Sequence, residues 1–491
     1  GQLQIASAMR RLDDKPALSL NLSSLPVREQ ASASPTQLLD TGASANRLDI
    51  LIMGDGYTAS EQAKFQQDAA DMAERFLSIS PYKDYRNLIK ISSLFTASAE
   101  SGASKPACAE TPSEPAVVRN TAFGGHFCTS GIRRLVTVDS SKVLAAAAAA
   151  PDWDHIFVLI NDTEYGGAGG SLAVATLNKA ATQLIQHEFG HSFTRLADEY
   201  SSAYPGYPAC SDAPGSTRTC EANVTDQTDP AAIKWRRWFS GNPALPSVGE
   251  LADPRGAGLW LGARYQSSGM YRQCYDGIMR SFTHGWFCHV DAEAFVLRLY
   301  QGGWGLPKAG ISNIEPGSSS PQAGKTINAG DCQRYQAQLA GPDGSTLAVS
   351  WSVDGKLVQS DQLAHGAYAK LDRALGEGSH TITLTVSDRS PVLFDPHQSS
   401  SSWNIVAGTA SKPQLDRLFD WAEQQFPSLF APARQQTEVR AGLTQRYYPG
   451  SDATLAVNDC KVFYTGPLSG KQQLYVGAVA DYMPDAEKAG F

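Results

Sequence analysis

The stretch from residue 186 to residue 200 reads QHEFGHSFTRLADEY, and two of its histidines are four positions apart. Residues with this spacing lie on the same face of an α-helix, about one turn from each other. The residues from 180 to 189 mostly favour a helix. We therefore expect His187 and His191 to present both imidazoles on one side of a helix.

Two imidazoles in that arrangement can bind one Zn²⁺ ion, and the acidic residue beside the first has a defined role in such motifs. Glu188 is positioned to take a proton from a zinc-bound water. The alternative interpretation is a helix whose histidines are ordinary hydrogen-bonded polar groups. The helical context favours the metal site, with His187 and His191 as ligands and Glu188 as the catalytic residue.

A third metal ligand is expected shortly after the helix. If the helix continued, Asp198 would lie roughly 10 Å beyond His191, because each residue adds about 1.5 Å along the axis. That separation is too long for two ligands of one ion, so the helix is expected to end soon after His191. We expect Asp198 to be the third ligand, with Glu199 as the first alternative and a distant group such as His289 as the second.

The run His-Glu-Phe-Gly-His-Ser-Phe, followed by Leu-Ala-Asp-Glu-Tyr, resembles the bacterial IgA-peptidase (igalysin) family of zinc metallopeptidases. The resemblance covers about residues 45–300. Metzincin peptidases share the motif His-Glu-x-x-His-x-x-Gly-x-x-His/Asp, and this chain departs from it. Thr194 stands at the glycine position, Ala197 at the usual ligand position, and Asp198 one residue later.

Metzincins also carry a methionine in a tight turn that forms a hydrophobic floor beneath the metal. The resemblance implies such a Met-turn within residues 274–280, which read CYDGIMR. Met279 is then its methionine, and Met270 is the alternative. Taken alone, Met279 would be interpreted as an ordinary core methionine, since this side chain commonly fills gaps in cores.

A glycine-rich stretch, residues 166–170, precedes a short apolar run. No Lys-Ser or Lys-Thr pair follows, as a phosphate-binding loop would require, so we interpret the glycines as a flexible bend before an edge strand. The resemblance implies that this strand binds peptide substrate by strand addition, and a plain edge strand is the alternative. The candidate substrate-binding residues are Leu172, Ala173, Val174, Ala175 and Thr176.

Strand and helix patterns alternate along the first part of the chain. Short apolar runs predict strands at residues 48–53, 89–95, 135–138, 156–160 and 172–176. Thr58 and Glu61 form a capping box that opens a helix to about residue 77, and an alanine-rich helix precedes Pro151. This alternation predicts an α/β domain with a mostly parallel sheet.

The chain is expected to divide into four segments: an N-terminal arm (1–45), a catalytic domain (46–309), a β-sandwich (310–408) and a small α+β module (411–491). The sandwich follows a linker rich in Pro, Gly and Ser, and it resembles the Ig-like modules of exported bacterial enzymes. The expected fold class is thus an α/β metzincin-like catalytic domain with a mixed sheet and a zinc helix, followed by an Ig-like β-sandwich and a small α+β C-terminal module.

Charge and cysteine usage limit the environment and the partners. A net charge of −8 without a basic tract argues against nucleic acid, and no apolar run approaches the roughly 20 residues of a membrane span. Eight cysteines without a Cys-x-x-Cys favour disulfides and an oxidising compartment. The expected pairs are Cys108–Cys128, Cys210–Cys220, Cys274–Cys288 and, from the remaining two residues, Cys332–Cys460. We expect a bacterial protein that is secreted, held at the cell surface, or periplasmic.

These patterns predict a secreted zinc-dependent endopeptidase that hydrolyses peptide bonds of protein or glycoprotein substrates, as the family resemblance implies. The alternative is a surface adhesin or glycan-binding protein on a peptidase scaffold, because the two C-terminal modules could bind a surface or glycan ligand. Glu188 argues against this alternative, since binding alone needs no general base. The sequence encodes no recognisable preference for the IgA hinge or for another substrate.

Overall fold

The computed structural model describes residues 34–203, 206–302, 310–321, 326–408, 414–430, 436–440 and 443–482. They fall into two compact units. The first contains the described residues up to Ile311 together with Pro391–Asp395, and the second contains Ser312–Ser390 and the described residues from Pro396 onward. Most of the predicted N-terminal arm lies outside the described residues. The β-sandwich and the C-terminal module, which the sequence analysis treats as two domains, share the second unit.

The first unit is built on a sheet that consists of β1 (Thr36–Leu39), β2 (Leu48–Asp55), β3 (Ile89–Leu94), β4 (His155–Ile160), β5 (Gly167–Ala168) and β6 (Ala173–Thr176). Their order across the sheet is β1-β3-β2-β4-β6-β5. The inner strands β3, β2, β4 and β6 are parallel, whereas β1 and β5 are antiparallel to their neighbours. The sheet is therefore mostly parallel, as the alternation of strands and helices predicts.

The helices described in this unit are α1 (Gln62–Phe76), α2 (Ser140–Ala147), α3 (Ala181–Phe189) and α4 (His289–Gln301). The capping box before α1 is present, with the Thr58 N–H donating to the Glu61 carboxylate at 2.8 Å. A smaller antiparallel sheet consists of β7 (Val224–Thr225), β8 (Trp260–Ala263) and β9 (Gln266–Arg272), with β9 in the middle.

The apolar run at residues 172–176 does not lie at the edge of the sheet. Val174 and Ala175 pair with β4 on one side and with β5 on the other. All five residues of the run are also buried. The edge position predicted for Leu172–Thr176 is therefore wrong, because the glycine-rich stretch before it folds back as the outer strand β5 and occupies the hydrogen bonds that an added strand would need.

The sequence also predicts a strand at residues 135–138, and the structure differs. Leu135 forms an isolated bridge with Gly167, and Thr137 forms another with His126. Each partner is a different, separate segment, so no continuous ladder forms. Gly167 donates its N–H to Arg134 O and accepts from the Val136 N–H, so this segment covers part of the outer side of β5.

An aromatic cluster holds α3 against the sheet. The ring of Phe189 lies 5.3 Å from Phe76 of α1, 5.6 Å from Phe157 of β4 and 4.9 Å from His155, centroid to centroid. These contacts are edge to face, the arrangement that aromatic rings favour. Because the rings also bury a large apolar area, the cluster fixes α3 on the scaffold.

The second unit begins with a β-sandwich. Its strands are β10 (Thr326–Asn328), β11 (Cys332–Gln338), β12 (Thr346–Val353), β13 (Lys356–Ala364), β14 (Tyr368–Ala374), β15 (Gly378–Asp388) and β16 (His397–Gly408). They form one sheet in the order β10-β16-β15-β12-β13 and another from β11 and β14. Trp351 and Trp403 lie in the core of the sandwich, with ring centroids 5.5 Å apart.

The C-terminal module combines a helix with an antiparallel sheet. It contains α5 (Gln414–Gln425), β17 (Gln436–Arg440), β18 (Leu443–Tyr448), β19 (Ala453–Asn458), β20 (Lys461–Gly466), β21 (Gly470–Ala478) and α6 (Val479–Tyr482). The strands follow one another in sequence order across the sheet. Leu418 and Phe419 of α5 are buried with residues of β19 and β20.

The four expected disulfides are all present: Cys108–Cys128, Cys210–Cys220, Cys274–Cys288 and Cys332–Cys460. Cys332–Cys460 connects β11 of the sandwich with the turn between β19 and β20 of the C-terminal module. None of the helices in the described part of the chain has the length and apolar character that crossing a bilayer requires.

His155 should make the first unit sensitive to acid. It is 8% exposed, and burial lowers its pKa from 6.5 to about 4. Between pH 6.5 and pH 4 the unfolded chain therefore binds a proton that the folded chain does not. This difference lowers the free energy of unfolding by about 3 kcal/mol as the pH falls through that range. Urea denaturation of His155→Gln at pH 7.5 and pH 4 should show a correspondingly smaller loss, and an unchanged loss would contradict this assignment.

Candidate metal centre

The helix α3 continues beyond Phe189 as a π-helical turn, Gly190–Thr194. It ends at Arg195, where φ is 67°, and the Leu196 N–H donates to Gly190 O at 3.0 Å. A left-handed conformation is unfavourable for a residue that has a Cβ. The left-handed conformation of Arg195 reverses the chain after the second histidine. The seven-residue spacing of His191 and Asp198 requires such a reversal if both are to lie at one centre. The reversal comes one residue after Thr194, which stands at the glycine position of the metzincin motif.

The π-helical turn explains the one-residue difference in ligand spacing. Such a turn holds one more residue between its hydrogen-bonded groups than an α-helical turn does. Asp198 comes seven positions after His191, whereas the last ligand of the motif comes six positions after its second histidine. The wider turn accommodates the added residue, so that the chain still brings Asp198 back to the histidines.

The two imidazoles and the Asp198 carboxylate converge on one point. His187 Nε2 and His191 Nε2 are 2.9 Å apart, and Asp198 Oδ1 lies 3.2 Å from the first and 3.1 Å from the second. A tetrahedral zinc ion with bonds of about 2.0–2.1 Å holds its ligand atoms about 3.3 Å from one another. The three ligand atoms are thus within a few tenths of an ångström of the spacing that zinc requires.

Hydrogen bonds on the far side of each ring determine its tautomer. His187 Nδ1 lies 2.8 Å from Ile278 O, and His191 Nδ1 lies 2.8 Å from Leu196 O. Since a carbonyl oxygen only accepts, each Nδ1 carries the hydrogen and each Nε2 presents its lone pair to the centre. Two lone pairs and a carboxylate oxygen repel one another unless a proton or a cation lies between them. The donor set therefore fits Zn²⁺, which prefers such ligands.

A proton takes this position when no metal is bound. Burial opposes a charge on His191, but the adjacent Asp198 carboxylate outweighs it and raises the pKa of His191 to about 9. Burial also opposes the charge on Asp198, yet the two adjacent histidines hold the pKa of its carboxyl well below the usual range. At neutral pH the metal-free centre thus contains an imidazolium and a carboxylate.

Tyr265 holds the other oxygen of the Asp198 carboxylate. Its hydroxyl lies 2.5 Å from Asp198 Oδ2, and the hydroxyl of Tyr200 lies 3.3 Å from that of Tyr265. Burial and the hydrogen bond to Asp198 raise the pKa of Tyr265, so its hydroxyl remains protonated and donates. The sequence does not reveal Tyr265 as a site residue, because nothing in the local sequence around it marks a contact with Asp198, 67 positions away.

The turn that carries Tyr265 is tied to the ligand segment. Arg264 and Tyr265 both have left-handed backbones, with φ of 51° and 60°. The Arg264 N–H donates to Asp198 O at 2.9 Å, and the Tyr265 N–H donates to Tyr200 O at 3.0 Å. The buried guanidinium of Arg264 pairs with Glu221 at 2.7 Å. Left-handed non-glycine residues cost on the order of 1–3 kcal/mol each, so these contacts are needed to hold the turn.

The two alternatives for the third ligand have other partners. Glu199 is fully buried, and its Oε1 accepts from Asn223 at 3.0 Å and from Gln273 at 3.3 Å. His289 Nε2 lies 2.7 Å from the Asp253 carboxylate. In the described part of the chain, neither residue joins the group of potential ligands formed by the two helix histidines and Asp198.

Met279 packs directly against the π-helical turn. A Cβ on Gly190 would lie only 2.8 Å from Met279 Sδ. The residue before it, Ile278, supplies the carbonyl that accepts from the first imidazole, and Met279 O accepts the Glu199 N–H at 2.9 Å. Met270 is instead part of a separate buried cluster. Of the two candidates, Met279 is thus the methionine that lies beside the histidine helix.

Glu188 is half-buried, and its carboxylate fits against a glycine. A Cβ on Gly169 would lie 1.7 Å from Glu188 Oε2, so any side chain at position 169 would displace the carboxylate. Gly169 directly follows β5. The glycine-rich stretch that the sequence analysis interpreted as a flexible bend therefore also makes room for Glu188 beside the outer strand.

Comparison with known proteins gives one family match and one structural neighbour. The chain matches no curated protein. A solved structure of fibronectin(III)-like modules of Clostridium thermocellum CbhA is 19% identical over 19% of this chain and 96% of that chain, and its TM-score of 0.16 is too low to establish a shared fold. Residues 36–250 match the model of the IgA Peptidase M64 family. The resemblance inferred from the histidine helix is confirmed over this region, which is similar to the IgA peptidase M64 family.

Proposed function

We propose that this chain is a secreted zinc-dependent endopeptidase that hydrolyses peptide bonds of protein or glycoprotein substrates. The observation that carries the proposal is the convergence of His187, His191 and Asp198, whose ligand atoms lie within 3.2 Å of one another. The family match supports a peptidase. The tautomers of the two imidazoles support a metal at the centre, since both lone pairs face the same point.

The positions of the side chains support the roles proposed for them. Bound in such a site, zinc supplies a Lewis acid and makes water an effective nucleophile near neutral pH. Glu188 accepts the proton of the attacking water as the water oxygen bonds to the scissile carbonyl carbon. Glu188 then donates this proton to the amine nitrogen as the C–N bond breaks. Gly169 leaves the space that keeps the Glu188 carboxylate in place for both steps.

We also infer a metzincin-like fold for the first unit and an Ig-like fold for the β-sandwich. The mixed sheet, the histidine helix that ends in a chain reversal, and Met279 beside that helix support the first inference. Two sheets around a tryptophan-rich core support the second. Four disulfides support export to an oxidising compartment.

Replacing Glu188 should separate metal binding from catalysis. The Glu188→Gln variant keeps the three metal ligands but cannot accept a proton, so casein hydrolysis should fall about 10²- to 10⁴-fold while zinc content stays unchanged. The matched control is Glu74→Gln, since Glu74 is an exposed residue of α1. Hydrolysis by Glu188→Gln at the wild-type rate would refute the role of this carboxylate.

Zinc binding should depend on pH through His191. Because Asp198 raises the pKa of His191 to about 9 in the metal-free protein, the imidazole must lose a proton before it binds the ion. The apparent zinc affinity should therefore rise about tenfold per pH unit from pH 6.5 and level off near pH 9. Calorimetry in buffers of different ionisation enthalpy measures the released proton, and an affinity independent of pH between 6.5 and 8.5 would contradict the assignment.

Tyr265 should act on the metal through Asp198. Removing its hydroxyl frees the carboxylate to rotate, so Tyr265→Phe should weaken zinc binding about 10- to 100-fold. Competition with a chromogenic chelator measures this change without any substrate. The control is Tyr475→Phe, an exposed tyrosine of β21. Equal zinc affinities of Tyr265→Phe and the wild type would show that the hydrogen bond does not position the ligand.

A further inference from the structure

An exposed arginine, Arg134, lies at the outer edge of the sheet on the side of Glu188. Its backbone is attached to the outer strand β5, because Arg134 O accepts the Gly167 N–H at 3.0 Å. Two residues further along the chain, Gly169 lies against the Glu188 carboxylate. The segment that carries Arg134 is therefore fixed next to the part of the sheet that accommodates the proposed catalytic residue.

Tyr165, which precedes β5 by two residues, is close to both charged groups. Burial raises the pKa of its hydroxyl, the charge of Arg134 lowers it, and the charge of Glu188 raises it. Both charges act on the hydroxyl because they are near it, since screening weakens interactions between exposed charges over more than about 10 Å. The net shift is upward, so the hydroxyl stays protonated at neutral pH and can donate a hydrogen bond.

The other cations of this region already have acidic partners. Arg133 Nε lies 2.7 Å from the Glu164 carboxylate. Lys105 Nζ lies 2.9 Å from Asp162 and 3.0 Å from Glu164. These two carboxylates are thus occupied by cations other than Arg134.

The polar groups of Arg134 and Tyr165 are open to a ligand. Arg134 is exposed, and Tyr165 is half-buried with an accessible hydroxyl. Among the residues that the structure describes, neither the guanidinium nor the hydroxyl has an ion-pair or hydrogen-bond partner. A negatively charged group can therefore approach a cation that has no counter-charge of its own.

We propose that Arg134 and Tyr165 bind an acidic side chain of the peptide substrate close to the scissile bond. This inference rests on the proposed function and adds a substrate preference to it. The guanidinium and the phenolic O–H both donate, and a carboxylate has accepting oxygens for each. The charge of Arg134 also offsets the repulsion that Glu188 would exert on an acidic substrate.

Matched peptides test the effect of charge alone. A casein peptide that the wild type cleaves is resynthesised with Asp, Asn or Lys at each position around the scissile bond, and kcat/KM is measured. At one position or more, kcat/KM should be about 3- to 10-fold higher for Asp than for Asn, since an accessible ion pair with one added hydrogen bond contributes about this much. About 0.5 M NaCl should reduce this ratio, because salt screens exposed charges.

Two substitutions test whether the preference comes from these residues. Arg134→Glu should reverse it, so that the Lys peptide becomes a better substrate than the Asp peptide at the same position. Tyr165→Phe lacks the hydroxyl donor and should lower the ratio of Asp to Asn about twofold. The control is Arg119→Gln, which removes the charge of an exposed arginine paired with Glu100 and should keep the wild-type ratio.

Two results would overturn this inference alone. One is an equal kcat/KM for the Asp and Asn peptides at every position, with both cleaved by the wild type. The other is a preference for Asp that persists unchanged in Arg134→Glu, because the acidic side chain would then bind elsewhere. If the wild type cleaved neither casein nor any of the peptides, the proposed function itself would be refuted, and this inference with it.

Discussion

Two imidazole lone pairs and a carboxylate oxygen lie within 3.2 Å of one another in the first unit, and the rest of this unit is arranged around that convergence. The three groups would separate if they were free, because their lone pairs repel one another unless a proton or a cation lies between them. Ile278 O and Leu196 O hold the far side of each ring, and Tyr265 holds the far oxygen of the carboxylate. Each contact removes one rotation that would otherwise let the centre open.

The helix that carries the histidines serves the centre and the core at once. Phe189 lies two residues from each histidine, which is about 200° around an α-helix, so it points away from them. That opposite face packs into the aromatic cluster with Phe76, Phe157 and His155. The position of the two histidines thus depends on apolar packing on the other side of the same helix, and a change in that cluster would move them.

The sequence alone predicts the parts of the site that follow from local periodicity. The helical repeat predicts His187, Glu188 and His191 as site residues, and the axial rise of a helix indicates that the chain must reverse before Asp198. The sequence does not reveal the means of reversal, since the left-handed residue is Arg195 rather than a glycine. The sequence also does not predict the role of Tyr265, because this residue contacts Asp198 from a turn that is distant in the chain.

The sheet, like the site, is predicted from the sequence only in part. The long apolar strands and the parallel order follow from pattern and alternation. The outermost strand does not, because β5 consists of two residues in a glycine-rich stretch without side chains that signal burial. Because β5 is present, residues 172–176 do not form the edge of the sheet. The same glycine-rich stretch places Gly169 beside Glu188. The glycines therefore make the strand hard to predict and also leave space for the Glu188 carboxylate.

The neighbouring residues Asp198 and Glu199 lie in different environments, although they belong to the same segment. Asn223 accepts the Ala197 N–H, donates to Ala197 O and donates to the Glu199 carboxylate, at 2.9, 3.0 and 3.0 Å. The Glu199 N–H donates to Met279 O. The chain is therefore held on both sides of Asp198, and burial raises the pKa of Glu199 above its ordinary value. The shorter acid reaches the histidines, while the longer one extends into the core. In the reverse order, the added methylene of a glutamate would push its oxygens past the position that the two imidazoles define.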